Sequence, residues 1–278
     1  MDTNKVWLVT GASKGLGLAL VKQLISQGYR VAGTSRSLSS LHKAIEPSEN
    51  FLPLEMDILD EESVRKGVEA MTQAFGKIDV LVNNAGYGQL GTLEELSDKE
   101  ARKNFDANVF GSLNVIRHVM PLMRHQKSGH ILNVASIGGL LGAFPGWGVY
   151  CATKFAVAGF TEALASEASE FGVKATVVYP GYFRTNFLES GSLNTPENPI
   201  LEYTTARELE LKHHEEIAGN QPGNPELAAE AFIALSQMQN PPVHFVMGSD
   251  AFAMAEVKLN VLRSDMTANE SLSKSTDY

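Results

Sequence analysis

Tyr150 and Lys154 lie four residues apart in the run Tyr150-Cys151-Ala152-Thr153-Lys154. On a helix that spacing puts a phenol and an ammonium on one face. A tyrosine titrates near ~10, too high for acid–base work at neutral pH. A neighbouring cation stabilises the phenolate and lowers that pKa, making the group usable as proton donor and acceptor. The spacing alone is common on solvated helix faces. It gains weight from Ser136, fourteen residues upstream, and from a glycine-rich turn near the N-terminus. Cys151 is the single cysteine; with no histidine near it in sequence, it reads as a small filler and not as a nucleophile.

The glycine turn is Thr10-Gly11-Ala12-Ser13-Lys14-Gly15-Leu16-Gly17. It follows an apolar run and opens a helical pattern, the context a dinucleotide fingerprint requires. Gly11 permits the tight turn, Gly15 lets the backbone approach a pyrophosphate, and Gly17 lets the helix pack close to the sheet. The pyrophosphate then meets the free N–H groups and dipole of a helix N-terminus. The next strand ends Gly33-Thr34-Ser35-Arg36. An acidic residue there would hold the ribose 2′-hydroxyl of NAD and repel a 2′-phosphate. Ser35 and Arg36, with Lys14 as a second cation, instead predict NADP(H) over NAD(H).

The elements that must position these groups alternate. Strand patterns cover 6–9, 30–34, 51–56, 80–82, 130–134, 174–178 and 243–247. Helical patterns cover 15–27, 61–75, a long stretch within 99–123, 149–170, 225–237 and 251–262. Continuous apolar runs of four to six residues separated by helices indicate parallel strands covered on both faces, hence a doubly wound α/β sheet of about seven strands. No repeat or linker divides the chain, so one catalytic domain is expected over residues 1–278. Residues 182–224 break the rhythm, carry apolar side chains such as Phe187 and Leu201, and suit a lid over a ligand. The polar end of the extension, 249–278, reads as loosely ordered.

Taken together these motifs resemble the short-chain dehydrogenase/reductase family over nearly the whole chain to Gly248. Residues 10–17 match its cofactor turn, and Asp57-Ile58 resembles the pair that contacts adenine. The run Asn83-Asn84-Ala85-Gly86 matches a motif that supports the sheet and borders the cofactor. Pro180-Gly181, with Phe183 and Thr185 beyond, resembles the segment near the nicotinamide carboxamide. Asn108, Ser136, Tyr150 and Lys154 match the catalytic tetrad. The resemblance implies that Tyr150 gives a proton to a carbonyl oxygen as hydride arrives from NADPH. It implies that Lys154 lowers the Tyr150 pKa and binds the nicotinamide ribose, that Ser136 holds the substrate oxygen, and that Asn108 holds a relay water.

Two departures bear on specificity and assembly. The spacing from Ser136 to Tyr150 is one residue longer than in many members, and residues 143–147 absorb it beside the pocket. The seventh strand runs into Met247-Gly248-Ser249-Asp250 and an added helix, not the glycine-rich ending of many tetrameric members. A homodimer through the two long helices is expected. Residues 84–88 resemble those of members acting on steroids, retinoids and other bulky carbonyls. With Tyr87, Trp147, Tyr182 and Phe187 as pocket walls, the substrate reads as a medium-sized, largely apolar ketone or aldehyde. Two alternatives stay open: an NAD-dependent alcohol dehydrogenase and a non-catalytic NADP(H)-sensing protein.

Composition narrows the partners. The net charge of −9, with no Lys/Arg-rich run, argues against nucleic acid or an anionic membrane surface. No run approaches the ~20 apolar residues that span a bilayer, the start lacks a leader pattern, and one cysteine fits a reducing cytoplasm. The adjacent His213 and His214 point in different directions on a helix, and no other spacing suits a metal, so none is expected.

Overall fold

The apolar runs become the strands of one sheet. In the computed structural model, which describes residues 3–188 and 191–278, these are β1 (Val6–Val9), β2 (Arg30–Ser35), β3 (Phe51–Glu55), β4 (Val80–Asn83), β6 (Gly129–Val134), β7 (Val173–Pro180) and β9 (His244–Met247). All their pairings are parallel, in the order β3-β2-β1-β4-β6-β7-β9. Two short strands, β5 (Gly88–Gln89) and β8 (Leu193–Asn194), pair separately.

Side chains alternate across the pleat, and β1 shows what this does. Trp7 and Val9 enter a core with Leu20 and Leu24 of α1 (Gly15–Ser26), Leu41 of α2 (Leu38–Ala44), and Phe232 and Ile233 of α8 (Pro225–Gln237). Val6 and Leu8 enter the opposite core. There they meet Val64 and Met71 of α3 (Glu61–Phe75), Val115 and Val119 of α5 (Gly111–Gln126), and Leu164 of α6 (Gly148–Ser169). A strand buried on both faces must read as a continuous apolar run, which is why β1 was legible.

Local chemistry sets the helix ends. The Asp60 side chain accepts from the Glu62 amide at the start of α3, and Gly76 closes that helix in the left-handed region at φ +79°. Ser97 and Glu100 form a capping box on α4 (Asp98–Phe105), and Asn224 caps α8 with Pro225 in its first turn.

The structure sharpens two expectations and corrects a third. The long helix within 99–123 is α4 and α5 joined by a π turn, Asp106–Phe110, whose extra residue turns Asn108 inward. Within 182–224 the described residues carry, besides β8, α7 (Thr204–Lys212) and a second π turn, His213–Ile217. The extension is helical well past Leu262, as α9 (Ser249–Ala268) and α10 (Glu270–Lys274). Sequence periodicity missed α10 because this end exposes apolar residues, Leu272 among them, and shows no buried face.

The order places β1 between β2 and β4, so the chain winds one way from β1 to β3 and the other way from β4 onward. At such a switch point the loops after neighbouring strands diverge and leave a crevice at their carboxyl ends. The turn after β1, residues 84–86 after β4, Ser136 after β6 and Gly181 after β7 all lie there.

Candidate active site

The crevice is a cavity of about 550 Å³. Its lining includes Gly11, Ser13, Lys14, Gly15, Leu16, Ser35, Arg36, Asp57 and Ile58 at one end. Asn84, Ala85, Gly86, Ser136, Tyr150, Lys154, Pro180, Gly181, Phe183 and Thr185 continue it. Gly17 and Asn108, also expected at the site, stand behind the wall and support it.

The glycines are required by close approach. Gly11 sits at φ +67° with room for a Cβ only 2.9 Å from the Ala85 Cα. A Cβ on Gly17 would come within 2.5 Å of both the Asn84 Nδ2 and the Gly11 carbonyl oxygen. Asn84 fills that space, donating to the carbonyls of Thr10 and Gly11 at 2.9 and 3.1 Å. The Thr10 hydroxyl accepts from the Asn84 and Ala85 amides, each at 3.0 Å, and fastens the turn after β1 to the turn after β4. Helix α1 starts behind Lys14 with no side-chain cap, so its first amides keep their donors for an anion.

Beside this cradle, Lys14 and Arg36 form a cationic corner. Partial burial, then the charge of Arg36, lowers the Lys14 pKa; its ammonium donates to the Gly191 carbonyl at 2.7 Å. Ser35 donates to Ser13 at 3.4 Å across the same corner. The Asp57 carboxylate accepts from the Leu59 amide at 3.0 Å. Ile58 packs where Gly111 admits it, since a Cβ there would lie 2.6 Å from the Ile58 Cδ1. The cradle thus fits a pyrophosphate and an adenosine end, with two cations beside it.

Tyr150 and Lys154 lie on α6, both buried. The Lys154 Nζ donates to the Val134 carbonyl at 3.0 Å and stands 5.8 Å from the centre of the Tyr150 ring. Burial brings its pKa down to about 8. Burial also drives the Tyr150 pKa up, with the hydrogen bond to Ser136 acting the other way. Here the sequence expectation is corrected. Lys154 does not hold the phenol below its ordinary value, because desolvation outweighs a cation whose ammonium is engaged with a backbone carbonyl. The phenol stays protonated at neutral pH, the state that can give a proton away. The Cys151 thiol is pushed up to about 11 by burial, so it carries no thiolate character.

Asn108 does not face the cavity. Its Oδ1 accepts from the Tyr87 amide, and its Nδ2 donates to the Tyr87 carbonyl and the Thr153 hydroxyl, all at 3.0 Å. It ties the turn after β4 to α6 and leaves Gly86 flush against it: a Cβ on Gly86 would lie 2.7 Å from the Asn108 Oδ1 and 3.7 Å from the Lys154 Nζ. Asn83 reaches the sheet interior, donating to Asn133 at 2.9 Å.

Beyond Tyr150 the cavity turns apolar. Tyr87, Trp147, Tyr182 and Phe187 line it as expected, joined by Phe144 and Leu188. Trp147 meets Tyr150 edge-on at 5.3 Å between ring centres, and Phe187 lies 6.1 Å from Tyr150. His213, read from the sequence only as a non-metal residue, is also a wall. Its place beside His214 suggested no pocket role; only the fold of 182–224 brings it in.

A parallel sheet in this order, with a glycine cradle, a cationic corner and a serine–tyrosine–lysine set on one crevice, defines a dinucleotide-dependent oxidoreductase architecture. Residues 5–195 match the short chain dehydrogenase family, and the chain belongs to it as an oxidoreductase. It is similar to a 3-ketodihydrosphingosine reductase of Bacteroides thetaiotaomicron, 36% identical over 88% of both chains. It is also similar to the 17-beta-hydroxysteroid dehydrogenase type 1 of Homo sapiens, 34% identical over 86% of this chain and 76% of that one. A solved short-chain dehydrogenase from Streptomyces avermitilis superimposes with a TM-score of 0.89 at 34% identity, covering 99% of each chain. Among the described residues no helix is long and apolar enough to cross a membrane.

Proposed function

We propose that this protein is an NADP(H)-preferring reductase of medium-sized, largely apolar ketones or aldehydes, with Tyr150 as the proton donor. The observation that carries the reading is the single cavity that joins the Lys14–Arg36 corner to Ser136, Tyr150 and an aromatic wall. The relatives' names, a keto-lipid reductase and a steroid dehydrogenase, support a bulky carbonyl substrate.

The cofactor supplies hydride to the carbonyl carbon when bound. The α1 amides and the backbone at Gly11 and Gly15 hold its pyrophosphate, and Lys14 and Arg36 its 2′-phosphate. Asp57, Ile58 and Leu16 enclose the adenosine end; Ala85, Gly86, Pro180, Gly181, Phe183 and Thr185 enclose the nicotinamide end. Ser136 donates a hydrogen bond to the substrate oxygen as charge develops there. Tyr150, kept protonated by burial, gives its proton to that oxygen. Lys154 keeps a positive charge 5.8 Å from the Tyr150 ring centre, which favours the phenolate this transfer leaves, and solvent restores the phenol once the product departs. Residues 182–224 act as the lid that excludes water from this exchange.

Absorbance at 340 nm with NADPH or NADH and a panel of aryl, alicyclic and charged keto compounds tests the reading. Faster turnover of alicyclic or aryl ketones with NADPH is expected; preference for small charged keto acids contradicts it. Assembly as a dimer through α5 and α6 is supported by Phe110 at the start of α5 and Phe155 on α6, 54% and 40% exposed. Light scattering should return two protomers; one or four contradicts the dimer.

A further inference from the structure

The aromatic end of the cavity contains a hydrogen-bond chain with a fixed direction. The His213 Nδ1 lies 2.7 Å from the Leu209 carbonyl oxygen, and its Nε2 lies 2.9 Å from the Tyr182 hydroxyl. A carbonyl only accepts, so Nδ1 carries the proton. The ring is 2% exposed, and burial, as its leading influence, lowers the His213 pKa, so the imidazole is neutral and Nε2 bare. The Tyr182 hydroxyl must therefore donate to Nε2. What remains on the Tyr182 oxygen is lone pairs.

The pair is held rigidly. The Tyr182 amide donates to the Asp250 carboxylate at 2.7 Å, and its carbonyl accepts from the Gly223 amide at 2.9 Å. The imidazole lies 5.1 Å from the Trp147 ring centre and 5.8 Å from that of Tyr182. Tyr182 and His213 line the same cavity as Tyr150 and Ser136. The two polar stations of the pocket have opposite character. Ser136 and Tyr150 offer protons to an acceptor, whereas Tyr182 offers only an acceptor to a donor.

We infer that the Tyr182 oxygen, its proton committed to His213, receives a hydrogen bond from a hydroxyl group on the substrate and so selects hydroxyketones and sets which end of them is reduced. This rests on the carbonyl reductase reading above. A carbonyl oxygen brought to Tyr182 meets lone pairs and is rejected; brought to Ser136 and Tyr150 it meets two donors. Tyr182 is the binding residue, and His213 is a positioning residue that fixes which way the Tyr182 proton points.

The test compares three kinds of compound on one alicyclic skeleton: the parent ketone, hydroxyketones with the hydroxyl at successive ring positions, and their methyl ethers, which accept but cannot donate. For at least one position, wild type should favour the hydroxyketone over its ether about tenfold in kcat/KM, carried mostly by KM. Tyr182→Phe should bring that ratio to within about twofold of unity. His213→Leu should raise turnover of the ether but not of the analogue carrying an ethyl group in place of the methoxy, because the freed Tyr182 proton can now be donated to the ether oxygen, whereas loosening of the pocket would favour both alike. A ratio near unity at every position in wild type, or one that persists in Tyr182→Phe, overturns the inference. Turnover of the parent ketone with NADPH reports separately on the reductase reading: its presence without discrimination sinks only the subsite, and its absence sinks both.

Discussion

If the proposed NADP(H) preference holds, replacing Arg36 with Leu should remove much of the discrimination in favour of the 2′-phosphate. Arg36, just past β2, and Lys14 are both exposed, and Lys14 feels the charge of Arg36. Two unit charges ~4 Å apart attract by about 1 kcal/mol in water and about 4 kcal/mol at an effective dielectric near 20. Hydrogen bonds to charged groups contribute about 1.5–3 kcal/mol. The exposure of Arg36 places it at the lower part of that range, about 1.5–2 kcal/mol, which is roughly a 10- to 30-fold loss. Lys14 contributes separately but is partly engaged by the Gly191 carbonyl. Steady-state titration with NADPH and NADH on one ketone reads both. KM for NADPH should rise roughly 10- to 30-fold in Arg36→Leu while KM for NADH moves less than about threefold, and the loss should shrink at high salt. Equal losses for both cofactors, or a wild type that prefers NADH, would refute the reasoning.

Two further outcomes follow from buried groups away from the cradle. The Glu95 carboxylate, fully buried, accepts from the Thr92 and Ile200 amides at 2.6 and 2.8 Å and pairs with Arg207 at 3.0 Å, fastening residues 200–207 to the rest of the chain. Burial works to raise its pKa, but those amides and Arg207 hold it below the ordinary value. Glu95→Gln should loosen the lid and raise substrate KM severalfold with cofactor Kd unchanged; an unaltered KM would separate this ion pair from the lid. His130 donates from Nε2 to the Thr176 hydroxyl, whose proton goes to the Pro242 carbonyl, and its Nδ1 is buried without a partner. Burial first, then Lys174 and Lys5, takes its pKa to about 3 from 6.5. The unfolded chain therefore takes up a proton that the fold refuses. The stabilising contribution is complete above pH 6.5 and is lost as pH falls toward 3, reaching about 2 kcal/mol of loss at pH 5. Urea midpoints at pH 7 and 5 should show a smaller acid loss for His130→Gln than for wild type, and parallel curves would show the contrary.

The strands buried on both faces were legible because burial on both sides leaves no polar alternation, as in β1. The glycine turn was legible because Gly11 and Gly17 occupy positions a Cβ would fill with atoms of Ala85 and Asn84. What escaped depends on contacts across the chain. The π turn at Asp106–Phe110 leaves the helical pattern intact while rotating Asn108 inward to Tyr87. The β5–β8 pair joins Gly88 to Leu193, more than a hundred residues on, and neither piece is long enough to show a period. The Tyr150–Lys154 spacing encodes a shared helix face but not its pKa consequence, because spacing carries no information about desolvation. His213 shows its role only through the fold of its segment, which brings its Nε2 to the Tyr182 hydroxyl.

The most direct test of the central claim follows NADPH oxidation at 340 nm with a reducible alicyclic ketone, in wild type and in Tyr150→Phe, with NADPH binding measured on both. The phenylalanine keeps the ring between Trp147 and Phe187 and removes only the proton donor. Turnover should fall at least about a hundredfold while NADPH still binds. Activity nearly unchanged in Tyr150→Phe would contradict the mechanism outright.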